Sequence, residues 1–125
     1  MNIDINSPES RRTLAKTMIK LFDHWGIEAG DQLILLGLDA DCQGIQDQFR
    51  SGEAALPETG ETMERVSWLL TVHKALRIAY SYNRDLVYQW VTANNRRFGG
   101  KAPLDVMKHE GLAGIKMIAV YLESI

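Results

Sequence analysis

The sequence predicts an all-α chain in which an N-terminal helix-turn-helix lobe is joined by a long central helix to a C-terminal helical lobe. Three observations lead to this prediction. Apolar residues recur at three- and four-residue spacing in most segments. Proline, glycine and small polar residues stand where helices would begin and end. No sustained apolar–polar alternation bounded by turns indicates a half-buried strand.

Composition and charge suggest two parts. The chain has 125 residues, of which 46% are hydrophobic, and this content is enough for a packed core and too high for a disordered chain. Residues 1–58 carry five Lys/Arg against ten Asp/Glu, a net charge of −5, whereas residues 59–125 carry nine against six, a net charge of +3. We therefore expect two domains, 1–58 and 59–125, that face different partners.

The first helix is predicted over residues 8–25. Ser7 offers a hydroxyl cap, and Pro8 suits the first helical position because its missing N–H has no intrahelical partner there. Gly26 ends the helix. One apolar face contains Leu14, Met18, Leu21, Phe22 and Trp25.

Two short helices then match a DNA-binding helix-turn-helix. The first is predicted over residues 28–36, and a turn over residues 37–40 separates it from the second. Asp39 is placed to cap the second helix, and Gly52 to end it.

Three residues of the second helix are DNA-binding candidates. Gln43 and Gln46 have side chains that can bind adenine edges, and Arg50 can bind guanine or phosphate. Affinity for duplex DNA comes mainly from basic residues that neutralise phosphates, and this half of the chain is acidic. The alternative is a helix-turn-helix kept as a packing or dimerisation scaffold.

Four helices are predicted in the second half, over residues 63–82, 84–94, 103–109 and from 112 to the chain end. The first is apolar on nearly every face, so we expect it to be buried on more than one side. The last has a core stripe, and its further apolar residues mark a partner surface or a homodimer contact. That stripe contains Ile115, Ile118, Ala119, Leu122 and Ile125.

A distinctive turn lies between the last three helices. Gly99 and Gly100 free the backbone for left-handed dihedrals. Pro103 suits the first turn of a new helix, and Asp105 falls near its third position, where a carboxylate meets free N–H groups. Gly111 closes this short helix. The alternative is that the glycines and the proline only separate the helices of an ordinary helical bundle.

The pattern resembles the C-terminal toxin-binding domain of the Xre/MbcA/ParS antitoxins. The resemblance covers about the last third of the chain. Ala102 departs from it, because a hydroxyl cap is expected at that position. The motif positions are Trp90, Asn94, Phe98, Gly99, Gly100, Pro103, Leu104, Asp105 and Gly111.

The resemblance implies an antitoxin of a type II toxin–antitoxin system. In that family the C-terminal domain binds and blocks a RES-type toxin, an NAD-consuming enzyme, and the N-terminal lobe commonly binds operator DNA as a homodimer. The toxin-contact candidates are Arg96, Arg97, Lys101, Met117, Tyr121 and Ile125. The alternative is a stand-alone transcriptional regulator or a helical adaptor without a toxin partner.

The sequence gives no sign of catalysis. The three histidines lie far apart and lack metal-ligand spacing, and the single cysteine, Cys42, has no base near it in sequence. We therefore expect no enzyme, no cofactor and no metal. The lone cysteine, the absence of an apolar leader and the lack of a membrane-spanning run favour a cytoplasmic protein.

Overall fold

The computed structural model describes residues 7–39 and 44–125, and every regular element in these ranges is helical. The all-α prediction is confirmed for this part of the chain. The α-helices are α1 Pro8–His24, α2 Ala29–Leu35, α3 Ile45–Ser51, α4 Gly60–Ala79, α5 Arg84–Gln89, α6 Pro103–Glu110 and α7 Leu112–Glu123. Two short 3-10 helices, Trp90–Thr92 and Arg96–Phe98, lie between α5 and α6.

The chain divides into two compact units, Met1–Glu64 and Arg65–Ile125, and the division falls within α4. In the first unit, α1 begins as predicted: the Ser7 hydroxyl accepts a hydrogen bond from the Ser10 N–H at 3.4 Å, and Pro8 occupies the first turn. The predicted apolar face of α1 is buried, and Phe22 and Trp25 are 0% and 1% exposed.

The helix-turn-helix segment differs from the prediction. Nine positions separate the end of α2 at Leu35 from the start of α3 at Ile45, whereas the prediction allows a turn of four. Gly44 precedes α3 with a left-handed φ of 91°, so Asp39 is not the residue that caps this helix. Gly52 ends α3 with a φ of 83°, as predicted. Residues 40–43 lie outside the described ranges.

Helix α4 is buried along one stripe only. Leu69 and Leu76 have no exposed surface, as the sequence predicts. Ile78, by contrast, is 69% exposed, so the expectation of burial on several sides is wrong at this residue. The helix begins at Gly60, earlier than predicted, because the Thr59 hydroxyl accepts a hydrogen bond from the Thr62 N–H at 3.3 Å.

The last helices largely follow the prediction. Asn83 caps α5 by accepting a hydrogen bond from the Leu86 N–H at 3.3 Å. Helix α5 then ends at Gln89, five residues early, because the backbone tightens into the 3-10 helix Trp90–Thr92. The α7 stripe is buried up to Leu122, but Ile125 is exposed because it lies beyond the helix end at Glu123.

Candidate functional site

Asn95 organises the segment that leads from the first 3-10 helix to α6. Its Oδ1 accepts a hydrogen bond from the Arg97 N–H at 3.0 Å. Its backbone carbonyl accepts from the N–H groups of Phe98 and Gly100, each at 3.0 Å, and its own N–H donates to the Lys101 carbonyl at 3.0 Å. These four bonds hold residues 95–101 as one compact turn.

The Gly-Gly pair adopts the backbone predicted for it. Gly99 and Gly100 have φ angles of 67° and 82°. A Cβ added at either glycine would meet nothing within 4 Å. The left-handed backbone, rather than lack of space, therefore explains glycine at both positions.

Helix α6 starts with a partial cap. Pro103 occupies its first turn, and Asp105 is its third residue, as predicted. The Asp105 Oδ2 accepts a hydrogen bond from the Ala102 N–H at 3.3 Å, which is one half of a capping box. The alanine cannot supply the other half because it has no side-chain oxygen.

Helices α6 and α7 meet at Gly114. A Cβ at this position would lie 2.5 Å from the backbone oxygen of Val106 and 2.7 Å from the Glu110 Cβ. Only glycine therefore allows the two helices to approach so closely. Gly111, which joins them, has a φ of 62° and ends α6 as predicted.

An aromatic cluster joins the turn to α7. The Trp90 and Tyr121 rings are stacked, with centroids 6.2 Å apart and planes 15° apart. Phe98 meets both rings edge-on, at centroid distances of 6.3 Å from Trp90 and 5.4 Å from Tyr121. The Arg97 guanidinium carbon lies 5.8 Å from the Tyr121 ring centroid, within cation–π range.

A surface groove of about 580 Å³ lies beside this cluster, and we call it the α6–α7 groove. It is bordered by the turn, by one face of α6 and by one residue of α7. Its lining residues are Arg97, Phe98, Gly99, Lys101, Asp105, Val106, His109, Glu110 and Met117. The half-buried Phe98 and Val106 and the exposed Met117 give it an apolar floor with a charged rim.

The rim of the α6–α7 groove carries both signs of charge. Arg97 and Lys101 are exposed on the turn side, and Asp105 and Glu110 are exposed on α6. Within residues 7–39 and 44–125, no ion pair joins either cation to a carboxylate. Both cations are therefore available to a partner's acidic groups.

The groove brings together three of the six toxin-contact candidates: Arg97, Lys101 and Met117. Arg96 and Ile125 are exposed but do not line it. Tyr121 is half-buried in the aromatic cluster, so its ring supports the turn.

The motif residues differ in how deeply they are buried. Trp90 and Pro103 are buried, Phe98 and Leu104 are half-buried, and Asn94 is exposed. The hydrogen bonds of the turn belong to its neighbour Asn95, which is outside the motif. An asparagine side chain that accepts a hydrogen bond from the N–H two residues later is common in turns. Asn95 makes this bond just before Gly99-Gly100, so the sequence does contain a turn signal at this position.

In the first unit, two DNA-binding candidates take part in a polar network between helices. The Gln46 Nε2 donates to the Gln32 Oε1 at 3.0 Å, and the Gln32 Nε2 donates to the Asp23 Oδ1 at 3.0 Å. Arg50 forms a two-pronged ion pair with the same Asp23 carboxylate. Gln43, the third candidate, lies outside the described residues.

This network shifts the pKa values of both charged side chains, Asp23 and Arg50. The pKa of Asp23 is lowered from its usual 3.8, mainly by the hydrogen bond from Arg50, and the pKa of Arg50 is raised by the same bond. Arg50 also lines a surface groove of about 480 Å³ with Lys16 and Lys20 of α1. Two lysines and the Asp23–Arg50 ion pair thus lie on one groove of this acidic half.

Metal and membrane features are absent from the described part of the chain. Within residues 7–39 and 44–125, no three His, Cys, Asp or Glu side chains are grouped to hold a metal ion. None of the helices there has the length and apolar content needed to cross a bilayer.

The Gly-Gly turn, α6 and α7 together form a helical region with an open groove of mixed apolar and charged lining. Residues 75–125 match the family model of the antitoxin Xre/MbcA/ParS C-terminal toxin-binding domain. Over 120 residues the chain is 29% identical to the uncharacterized protein y4oB of Sinorhizobium fredii. That similarity covers 94% of this chain and 89% of the relative, and so extends well beyond the toxin-binding domain.

Proposed function

We propose that the chain is the antitoxin of a type II toxin–antitoxin pair and that it neutralises a RES-type, NAD-degrading toxin. The observation that supports this most directly is the match of residues 75–125 to the toxin-binding domain, together with the α6–α7 groove inside that range. The family is normally non-enzymatic, so the chain acts by binding.

The groove supplies the centre of the proposed interface. Met117 is 48% exposed and offers an adaptable apolar contact, while Arg97 and Lys101 attract acidic groups. A stable interface buries about 800 Å² per partner, more than one groove provides. Val120 and Ile125, 59% and 56% exposed, supply further apolar surface at the C-terminal end.

Operator DNA is a second, weaker proposed partner, bound by a homodimer. Gln46 and Arg50 already bind other side chains, and the first 58 residues carry a net charge of −5. Lys16 and Lys20 lie on one groove, where their charges can neutralise phosphates. We therefore expect weak, strongly salt-dependent binding in a mobility shift on DNA upstream of the operon. Nanomolar binding at physiological salt would contradict this expectation.

Co-expression tests the main proposal. The chain is produced with the product of the adjacent gene in its operon, and the pair is co-purified. Loss of NAD is then measured with the toxin alone and with increasing amounts of the chain. Stoichiometric inhibition and a stable complex are expected. A neighbour that neither binds nor degrades NAD would favour the stand-alone regulator or adaptor.

A further inference from the structure

A second groove in the Arg65–Ile125 unit differs in chemistry from the α6–α7 groove. It has a volume of about 370 Å³ and lies where α4 ends and α5 begins, so we call it the α4–α5 groove. Its lining residues are His73, Arg77, Tyr80, Ser81, Arg84, Val87 and Tyr88. Six of these seven side chains are polar, and none is a carboxylate.

The tight connection between α4 and α5 places two arginines on this groove. Helix α4 ends at Ala79, and α5 begins at Arg84 after the Asn83 N–H has bonded the Tyr80 carbonyl at 3.0 Å. Arg77 and Arg84 are both exposed. In the described part of the chain, neither guanidinium forms an ion pair or a side-chain hydrogen bond.

Two guanidinium groups without carboxylate partners make the groove suited to an anion. Arginine presents donors in a planar fork that matches phosphate and carboxylate oxygens. Tyr80 and Ser81 add hydroxyl donors. A phosphate monoester has three peripheral oxygens and can accept from more of these groups than a two-oxygen carboxylate can.

The rest of the groove leaves room for a small group attached to the phosphate. The His73 and Tyr88 rings, which also line the groove, are nearly parallel, with planes 18° apart and centroids 6.4 Å apart. The volume lies at the lower end of the range for small-molecule sites. We propose that the α4–α5 groove binds the phosphate group of a small phosphorylated molecule.

Titration of the ¹⁵N-labelled full chain with inorganic phosphate and with adenosine 5′-monophosphate tests this site. Ionic strength is held constant with sodium chloride. Saturable amide shifts confined to residues 73–88 are expected with both probes. The double variant Arg77→Gln/Arg84→Gln should bind at least about tenfold more weakly, because both forks are lost.

A matched control removes two cations elsewhere. Arg12→Gln/Lys74→Gln loses the same charge at positions that line none of the three grooves described above, and this variant should bind phosphate as the wild type does. If the arginine variant unfolds, the single variants Arg77→Lys and Arg84→Lys replace it, since lysine keeps the charge and loses the fork. Each should weaken binding several-fold.

Three results would overturn the proposal. The first is the absence of saturable shifts with either probe up to tens of millimolar. The second is equal binding by the wild type and the arginine variants. The third is a response of residues 73–88 to duplex DNA but to neither small probe, which would assign the groove to a nucleic-acid backbone. Tighter binding of the nucleotide than of inorganic phosphate would indicate that the attached group also makes contact.

Discussion

The Tyr121 ring stacks on the Trp90 indole at a centroid distance of 6.2 Å, and this contact joins the last helix to the segment before the Gly-Gly turn. In sequence, Tyr121 lies on α7 outside the core stripe, which favours an exposed partner contact. The structure instead gives its ring three aromatic or cationic neighbours: Trp90, Phe98 and Arg97. The residue therefore stabilises the turn that borders the α6–α7 groove.

We predict that Tyr121→Ala lowers the free energy of unfolding by about 2–3 kcal/mol, since a half-buried aromatic ring and its partners lose contact. Tyr121→Phe keeps the ring and should cost less than about 0.5 kcal/mol. Urea denaturation of both variants measures the difference. Equal stability of the alanine variant and the wild type would show that the cluster contributes nothing.

Gly114→Ala should destabilise the chain by about 2 kcal/mol or more, because the new Cβ would overlap backbone as well as side-chain atoms. The matched control is Gly60→Ala in α4, where a Cβ meets nothing within 4 Å. That change should be neutral or stabilising because alanine favours a helix. Thermal melts of the two variants compare them, and a Gly114→Ala melt at the wild-type temperature would contradict the close approach of α6 and α7.

Two substitutions of groove residues test whether the α6–α7 groove binds the proposed toxin. Met117→Glu and Lys101→Glu should leave folding nearly unchanged, since both side chains are exposed. Each should weaken inhibition of the proposed toxin by about tenfold or more. Met117→Glu would bury a charge in the interface, and Lys101→Glu would lose an ion pair with the toxin.

The control for these variants is Lys20→Glu, which makes the same charge change as Lys101→Glu on α1 of the other unit. Inhibition of NAD loss is measured at equal antitoxin concentrations, after circular dichroism has established equal helicity. Unaltered inhibition by both groove variants would move the interface to another surface.

The Asp23–Arg50 ion pair predicts a pH dependence of stability. The pKa of Asp23 is lowered on folding, so the folded chain binds fewer protons than the unfolded chain in this range. The stabilisation is present above the usual pKa of 3.8 and is lost as pH falls through the lower, folded value.

Because both side chains are partly exposed, we expect the pair to contribute only about 0.2–1 kcal/mol. Arg50→Gln should reduce the gain in unfolding free energy between about pH 3 and about pH 6 by that amount. The Asp23→Asn variant and the double variant complete a cycle that isolates the pair. A profile for Arg50→Gln that parallels the wild type would exclude this contribution.

The local helix signals were readable from the sequence. Ser7 and Pro8 start α1, Asn83 caps α5, and Gly99-Gly100 adopt left-handed backbone, all as predicted. Each of these features depends on hydrogen bonds or steric limits within four residues of the chain. Such short-range interactions are encoded by adjacent residues, so a linear pattern is sufficient to predict them.

Only the tertiary structure decided which side chains are available to a partner. The Tyr121 ring stacks on Trp90, 31 positions earlier, and the Arg50 guanidinium pairs with the Asp23 carboxylate, 27 positions earlier. Gly114 is required because the Val106 carbonyl lies against it. Exposure and close approach arise when separate helices pack together, and helical periodicity gives the face of a residue but not what lies opposite that face.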